Sequence, residues 1–251
     1  MMRNCCIPGL LAVLFLCGCS IKEVRDNCLC VVEVDLSLFT ELTCGGQWSF
    51  DGGKSESFDL QKETVTLDAV KGKHLVCVSG SSGYSISSGK AFVEQAGGGS
   101  LFSFHEEIFC EGETYKVSAV PRKEYVGVVL YIDEDDPAGS SVTIRSDYNG
   151  LDLRNSLPLR GALEFVPEQI GDGAYRFRLP RQGIDNSLTI IYDSGGDLPV
   201  SLPLHKWVAD AGFDWEAEDL ADINIGALNS FSEISLSITD WKTGFIESIT
   251  L

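Results

Sequence analysis

From Cys30 the sequence alternates. Cys30, Val32, Val34, Leu36 and Leu38 fall on one side of an extended chain, and Glu33, Asp35 and Ser37 fall on the other. A period of two residues marks a half-buried β-strand, with one face on a core and one in water. Strand-like runs follow at 64–69, 74–79, 114–120, 125–133, 141–145, 175–179, 187–192, 223–228, 233–240 and 245–250. They are rich in Val, Ile, Thr, Phe and Tyr, and clusters of Gly, Ser, Asp and Pro separate them. Many short strands at such spacing predict sandwiches or barrels. Only residues 204–220 have helical spacing, with Leu204, Val208 and Ala211 in step and Gly212 as a stop.

Charge and cysteine divide the chain. The formal charge is −18, which argues against nucleic acid as a partner and against a polybasic grip on lipid. Residues 1–122 carry a net charge of −5, and residues 123–251 carry −13. All nine cysteines lie in the first 110 residues. Both shifts fall near Pro121-Arg122-Lys123, and proline sits poorly in a central strand. The expectation is an all-β chain of two consecutive sandwich domains, 28–122 and 123–251, each long enough to bury its own core.

The first residues read as an address. Arg3 precedes an apolar run from Ile7 to Leu16, too short for a membrane span of ~20 residues. The run ends in Leu16-Cys17-Gly18-Cys19, which resembles the bacterial lipobox. In that chemistry a diacylglyceryl group is attached to the Cys sulfur, and the signal peptidase cuts just before it. Residues 1–18 are therefore expected to be a lipoprotein signal peptide, Cys19 the lipid-attachment site and 19–27 a tether to the outer membrane. Each buried CH₂ is worth ~0.8 kcal/mol, so two or three acyl chains would hold lastingly where one would exchange. Ser20-Ile21-Lys22-Glu23 puts charge just past the lipid, as in surface-export signals of some bacteria. Cys28, Cys30, Cys44, Cys77 and Cys110 remain, an odd number; buried thiols acting as small apolar groups are expected over disulfides.

Motifs for chemistry are thin. Gly83-Tyr84-Ser85-Ile86-Ser87-Ser88-Gly89-Lys90-Ala91 and Gly53-Lys54-Ser55 each miss part of a phosphate loop and read as loops. Asp133-Glu134-Asp135-Asp136-Pro137 breaks the order of a calcium loop and reads as a solvated hairpin tip. His74, His105 and His205 lack zinc spacing, and Gly-x-Ser-x-Gly is absent. Asp210, Asp214, Glu216, Glu218, Asp219 and Asp222 read as a solvated acidic face rather than a glycosidase pair. Trp207 and Trp241 fit core positions, whereas Trp48 is the candidate surface aromatic for a partner or a sugar. No cofactor, no metal and no catalysis are expected.

Two stretches resemble a known family. Asp26-Asn27-Cys28-Leu29-Cys30-Val31-Val32-Glu33-Val34-Asp35-Leu36 is similar to the start of the minor-fimbrium anchoring subunits of Bacteroidales, with Leu29 where Pro is usual. Further on come Phe177-Arg178-Leu179-Pro180-Arg181-Gln182, Leu202-Pro203-Leu204-His205-Lys206-Trp207, Ala211-Gly212-Phe213-Asp214-Trp215, Glu218-Asp219-Leu220-Ala221-Asp222-Ile223 and Thr239-Asp240-Trp241. Their order and spacing resemble that family's C-terminal domain. The resemblance implies two transthyretin-like β-sandwiches on a lipid tether. It also implies a role as anchor or accessory subunit of a fimbria, binding stalk subunits by strand addition. A surface glycan-binding lipoprotein of a polysaccharide uptake system is the alternative.

Overall fold

The computed structural model describes residues 29–42, 46–53, 55–58, 63–133, 140–195, 198–228, 231–244 and 246–250. The lipobox, Cys19 and the tether lie outside these residues, as do Cys28 and Cys44.

In chain order the first half carries β1 (Leu29–Asp35), α1 (Ser37–Leu42), β2 (Gly46–Phe50), β3 (Glu56–Phe58), β4 (Thr64–Val70) and β5 (Gly72–Ser82). It continues with β6 (Tyr84–Ser87), β7 (Lys90–Val93), β8 (Ser100–Cys110), β9 (Thr114–Ser118) and β10 (Arg122–Lys123). The second half begins with β11 (Tyr125–Ile132), β12 (Ser141–Asp152), β13 (Leu157–Phe165), β14 (Glu168–Gly171) and β15 (Ala174–Pro180). It ends with β16 (Thr189–Asp193), β17 (Val200–Leu202), α2 (Leu204–Asp210), β18 (Asp222–Leu228), β19 (Glu233–Thr239) and β20 (Ile246–Thr250).

The described residues form four sheets, and the protein is all-β with sandwich packing. Sheet A is β4-β1-β9, and sheet B is β10-β8-β5-β2-β3. Between them the inward row of β1, Cys30, Val32 and Val34, packs with Val76, Val78, Phe102, Phe104 and Ile108. Sheet D is β14-β15-β11-β18-β19-β20, and sheet C runs β17-β16-β12-β7-β6 with β13 paired to β12. The second core joins these two through Val128, Leu130, Ile144, Phe177, Ile190 and Ile225.

The alternation of β1 stops two residues early. The Asp35 carboxylate accepts the Ser37 N–H at 2.9 Å and turns the chain into α1. Leu36 and Phe39, three apart on a helical turn, therefore enter the core, and Leu38 faces solvent. Helix α2 holds to the turn or two expected within 204–220 and ends before Gly212. Leu204 and Val208 anchor it, and Gly212 at φ +71° follows its cap. Beyond it Phe213, Trp215 and Leu220 are buried from turns rather than from a helix.

One expected loop is corrected. Residues 83–91 form the hairpin β6–β7, because Ser88 (φ +52°) and Gly89 (φ +73°) make a two-residue turn whose twist matches paired strands. That hairpin joins the other half: Ala91 pairs with Leu151 and Lys90 with Asp152. Strands from both sides of residue 122 thus share sheet C. The acidic run Asp133-Glu134-Asp135-Asp136-Pro137 falls in sequence between β11 and β12, and residues 134–139 lie outside those described.

Candidate functional site at the sandwich junction

Between the two cores lie three buried charged residues, Lys123, Glu124 and Arg181. Lys123 is buried. Its Nζ donates to the Leu220 carbonyl at 3.0 Å and to Asp222 Oδ1 at 2.5 Å, and its N–H donates to Asp219 Oδ1 at 2.8 Å. Burial lowers the Lys123 pKa, and the Asp222 carboxylate opposes that shift without cancelling it. The next residue, Glu124, has no exposed surface. Its Oε1 accepts the hydroxyls of Ser103 and Ser156 at 2.6 Å each, and its Oε2 accepts Arg181 Nε at 2.7 Å. Arg181 Nη1 then donates to the carbonyls of Trp215 and Ala217 at 2.7 and 2.8 Å. An isolated buried ion costs several kcal/mol, so this pair stands only because every oxygen and most N–H groups find partners.

Aromatic contacts reinforce the link. Trp241, from the turn after β19, lies 5.9 Å from Phe102 in β8, and Phe102 meets Tyr125 edge-on at 5.7 Å. A small third cluster of Tyr84, Ala91, Leu101, Leu151 and Leu153 joins the inserted hairpin to both halves.

Sequence candidates fall around this junction in ways spacing did not show. Asp210, Asp214, Glu216 and Glu218 are exposed, as expected of a solvated acidic face, whereas Asp219 and Asp222 are partly buried. Asp219 and Asp222 hold Lys123, Asp222 also accepts the Gly127 N–H at 2.6 Å, and Glu218 pairs with Arg122 at 3.1 Å. Trp48 is corrected: it is 9% exposed and packs in the first core, because the register of β2 points it inward between Gln47 and Ser49. Trp215 is buried too, and Trp207 packs against the second core. Cys30, Cys77 and Cys110 are free and buried, and burial pushes Cys77 and Cys110 up to about 11. His74 bridges Asp51 and the Val70 carbonyl at the far end of the first sandwich, while His205 Nδ1 faces the Leu188 carbonyl at 3.0 Å. Among the described residues no three His, Cys, Asp or Glu side chains gather as a metal-holding group.

A cleft of about 420 Å³ opens at the junction. His105, Arg122, Gln182 and Glu218 line it, with Leu157 and Ile184 at its exposed edge. The Nδ1 atom of His105 is buried there without a hydrogen-bond partner. Neither Glu124 nor Arg181 was singled out from sequence as a site residue, although Arg181 lies within the family-like stretch 177–182.

The molecule is therefore a tandem β-sandwich with an interlocked junction. No protein-family model and no curated protein sequence matches it. Solved structures share the fold. One is a proposed polysaccharide-binding protein from Bacteroides thetaiotaomicron, at 11% identity and TM-score 0.64, covering 88% of this chain and 98% of that one. Another is the fimbrial anchor protein Mfa2 from Porphyromonas gingivalis, at 10% identity and TM-score 0.63, covering 87% and 99%. A proposed adhesin from Bacteroides ovatus aligns at 11% identity and TM-score 0.59, over 88% and 96%.

Proposed function

We propose that this chain is a lipid-anchored accessory or anchor subunit of a bacterial surface fimbria. It is held in the outer membrane through Cys19 and binds stalk subunits by strand addition. The observation that carries this reading is the shared fold with a fimbrial anchor, which spans 87% of this chain and 99% of that protein. The lipobox at Leu16-Cys17-Gly18-Cys19 supplies the fixed end. Two sandwiches, divided near Arg122 apart from the inserted hairpin, supply a stiff body with open strand edges. A Cys19→Ala chain should stay unprocessed or become soluble, and fimbriae of that strain should be shed or altered in length. Processed, membrane-bound Cys19→Ala protein would refute the lipid claim. Unchanged fimbrial attachment, length and composition after gene deletion would refute the anchor role.

One observation supports the glycan-binding alternative. Tyr131 is 51% exposed on the outer face of sheet D, beside a groove of about 240 Å³ lined by Asn224, Ser235 and Ser237. Binding on a glycan array that is lost in Tyr131→Ala would favour it.

A further inference from the structure

Two buried cysteines stand at one end of the first sandwich. Cys30 is the second residue of β1 in sheet A, and Cys110 is the last residue of β8 in sheet B. The chain crosses between those sheets twice at this end. Cys30 pairs with Ala69 and Cys110 with Gly72, and only Val70 and Lys71 lie between Ala69 and Gly72. That link spans at most about 11 Å. On the other flank the chain leaves Cys110 through Glu111 and Gly112, and the Glu113 carbonyl accepts the Val31 N–H at 2.8 Å. Two short connections thus draw the two positions together. Both side chains point into the same core, at 0% and 1% exposure. There the thiols meet: burial raises the Cys110 thiol most, and a hydrogen bond with the Cys30 side chain adds to the rise. Cys77 stands apart in the middle of β5, opposite His105.

We infer that Cys30 and Cys110 are joined by a disulfide in the exported protein, and that this bond clamps the strand entering from the tether to the strand that leads to the sandwich junction. This rests on the envelope location proposed above and goes beyond it. The oxidant is the disulfide of an envelope thiol oxidoreductase. One cysteine thiolate attacks that disulfide and forms a mixed disulfide. The second cysteine attacks the first one's sulfur, and the donor leaves as a dithiol. The chain loses two S–H bonds and gains one S–S bond, and the two electrons and two protons end on the donor. A thiol held at about 11 is a poor nucleophile near neutral pH, so the exchange belongs to the folding chain, before the core closes.

The placement gives the bond a mechanical role. Cys30 lies eleven residues after Cys19, so a pull from the lipid enters the fold at the start of β1. By itself β1 is held to β4 and β9 by hydrogen bonds. β8 runs from Cys110 towards the junction, where Ser103 meets Glu124 at 2.6 Å. A covalent link at the second residue of β1 passes the load to β8 and the second sandwich instead of peeling β1 from its sheet. It also closes a loop of 80 positions, which strongly restricts the unfolded chain.

The test uses the full chain in its native cell. Cells are lysed in acid, free thiols are blocked with N-ethylmaleimide, and disulfide-held thiols are then reduced, given a second label and mapped by mass spectrometry. Cys30 and Cys110 of wild type should take only the second label, and Cys77 only the first. The same map is expected in a Cys28→Ala, Cys44→Ala chain, and adding Cys30→Ala should move Cys110 to the first label. Reducing purified wild type should lower its urea midpoint by about 1–2 M. The wild-type map stands whether or not the variants fold. Cys110 linked to Cys28 or Cys44, or reduced in a chain recovered with the membrane, would overturn the assignment and leave the envelope reading intact. Reduced thiols in a chain recovered from the cytoplasm would overturn both. Refolding from urea in oxidised glutathione then separates the causes: a Cys30–Cys110 bond formed there lays the failure on location, and its absence lays it on the geometry.

Discussion

Glu124 and Arg181 meet inside the protein although 57 positions separate them in the chain. Removing one partner leaves the other charge buried and unpaired, which costs about 3–5 kcal/mol. Arg181→Met should therefore lower the denaturation midpoint sharply, and Glu124→Gln should cost less because it keeps the hydrogen-bonding shape. Equal, small effects in urea unfolding would show the pair to be dispensable. His74 permits a test by pH. Burial alone would lower its pKa, but the hydrogen bond with Asp51, the Val70 carbonyl and the Asp51 charge raise it overall. Both ring nitrogens face acceptors, an arrangement that only the doubly protonated ring satisfies. A raised folded pKa stabilises below the unfolded value of 6.5, and that stability is lost as pH rises through the folded pKa. Asp51→Asn keeps the Leu75 N–H contact and tolerates the φ of +53°. It should cost a few tenths to about 1 kcal/mol at pH 5.5 and less at pH 8.5. A cost that is flat across that range, by thermal melting, would discount the ion pair.

At the scale of elements, the strands with clean alternation were readable and the mixed ones were not. β11 and β18 bury every second residue, and the sequence alone places both. β13 reads Leu-Pro-Leu-Arg-Gly-Ala-Leu-Glu-Phe, and proline, arginine and glycine break its period just where it forms an edge. In β8, His105-Glu106-Glu107 interrupts the apolar run: Glu106 and Glu107 are exposed between the buried Phe104 and Ile108. The hairpin β6–β7 was hidden behind its likeness to a phosphate loop. Its turn makes a specific demand: Gly89 stands at φ +73°, and an added Cβ would meet the Arg154 side chain only at an ordinary 3.6 Å. Gly89→Val should thus cost about 1–2 kcal/mol from backbone strain alone, whereas Ser88→Asn should be near neutral. If Gly89→Val matches wild type in chemical denaturation, the hairpin is not held by its turn.

For the whole molecule, the junction decides the mechanics. Neighbouring domains in one chain move by default unless their interface is extensive. Here a hairpin crosses into the other sheet, Trp241 packs back on Phe102, and the Arg122–Glu124 segment is tied to both sides. Both sandwiches should unfold in one calorimetric transition. Leu151, fully buried in the bridging cluster, is the place to loosen it: Leu151→Ala should cost about 2–5 kcal/mol and broaden or split the transition. Two separate transitions in wild type would mean that the contacts couple the halves weakly. A coupled body suits the proposed role, since a chain fixed by lipid at one end and holding a polymer at the other carries tension through this junction.

By itself the sequence determined the class of fold, because that is written in local period; the division near residue 122 and the membrane address at Cys19 are expectations drawn from composition and a contiguous motif. Tertiary structure alone decided that Trp48 is core, that the acids at 218–222 serve the cations at 122 and 123, and that β7 joins β12. Those outcomes depend on which strands become neighbours and in what register, and a shift of one residue in a strand exchanges its inward and outward faces. Local pattern shows that a residue can face a core; only the pairing of distant strands settles which core, and which charge waits there.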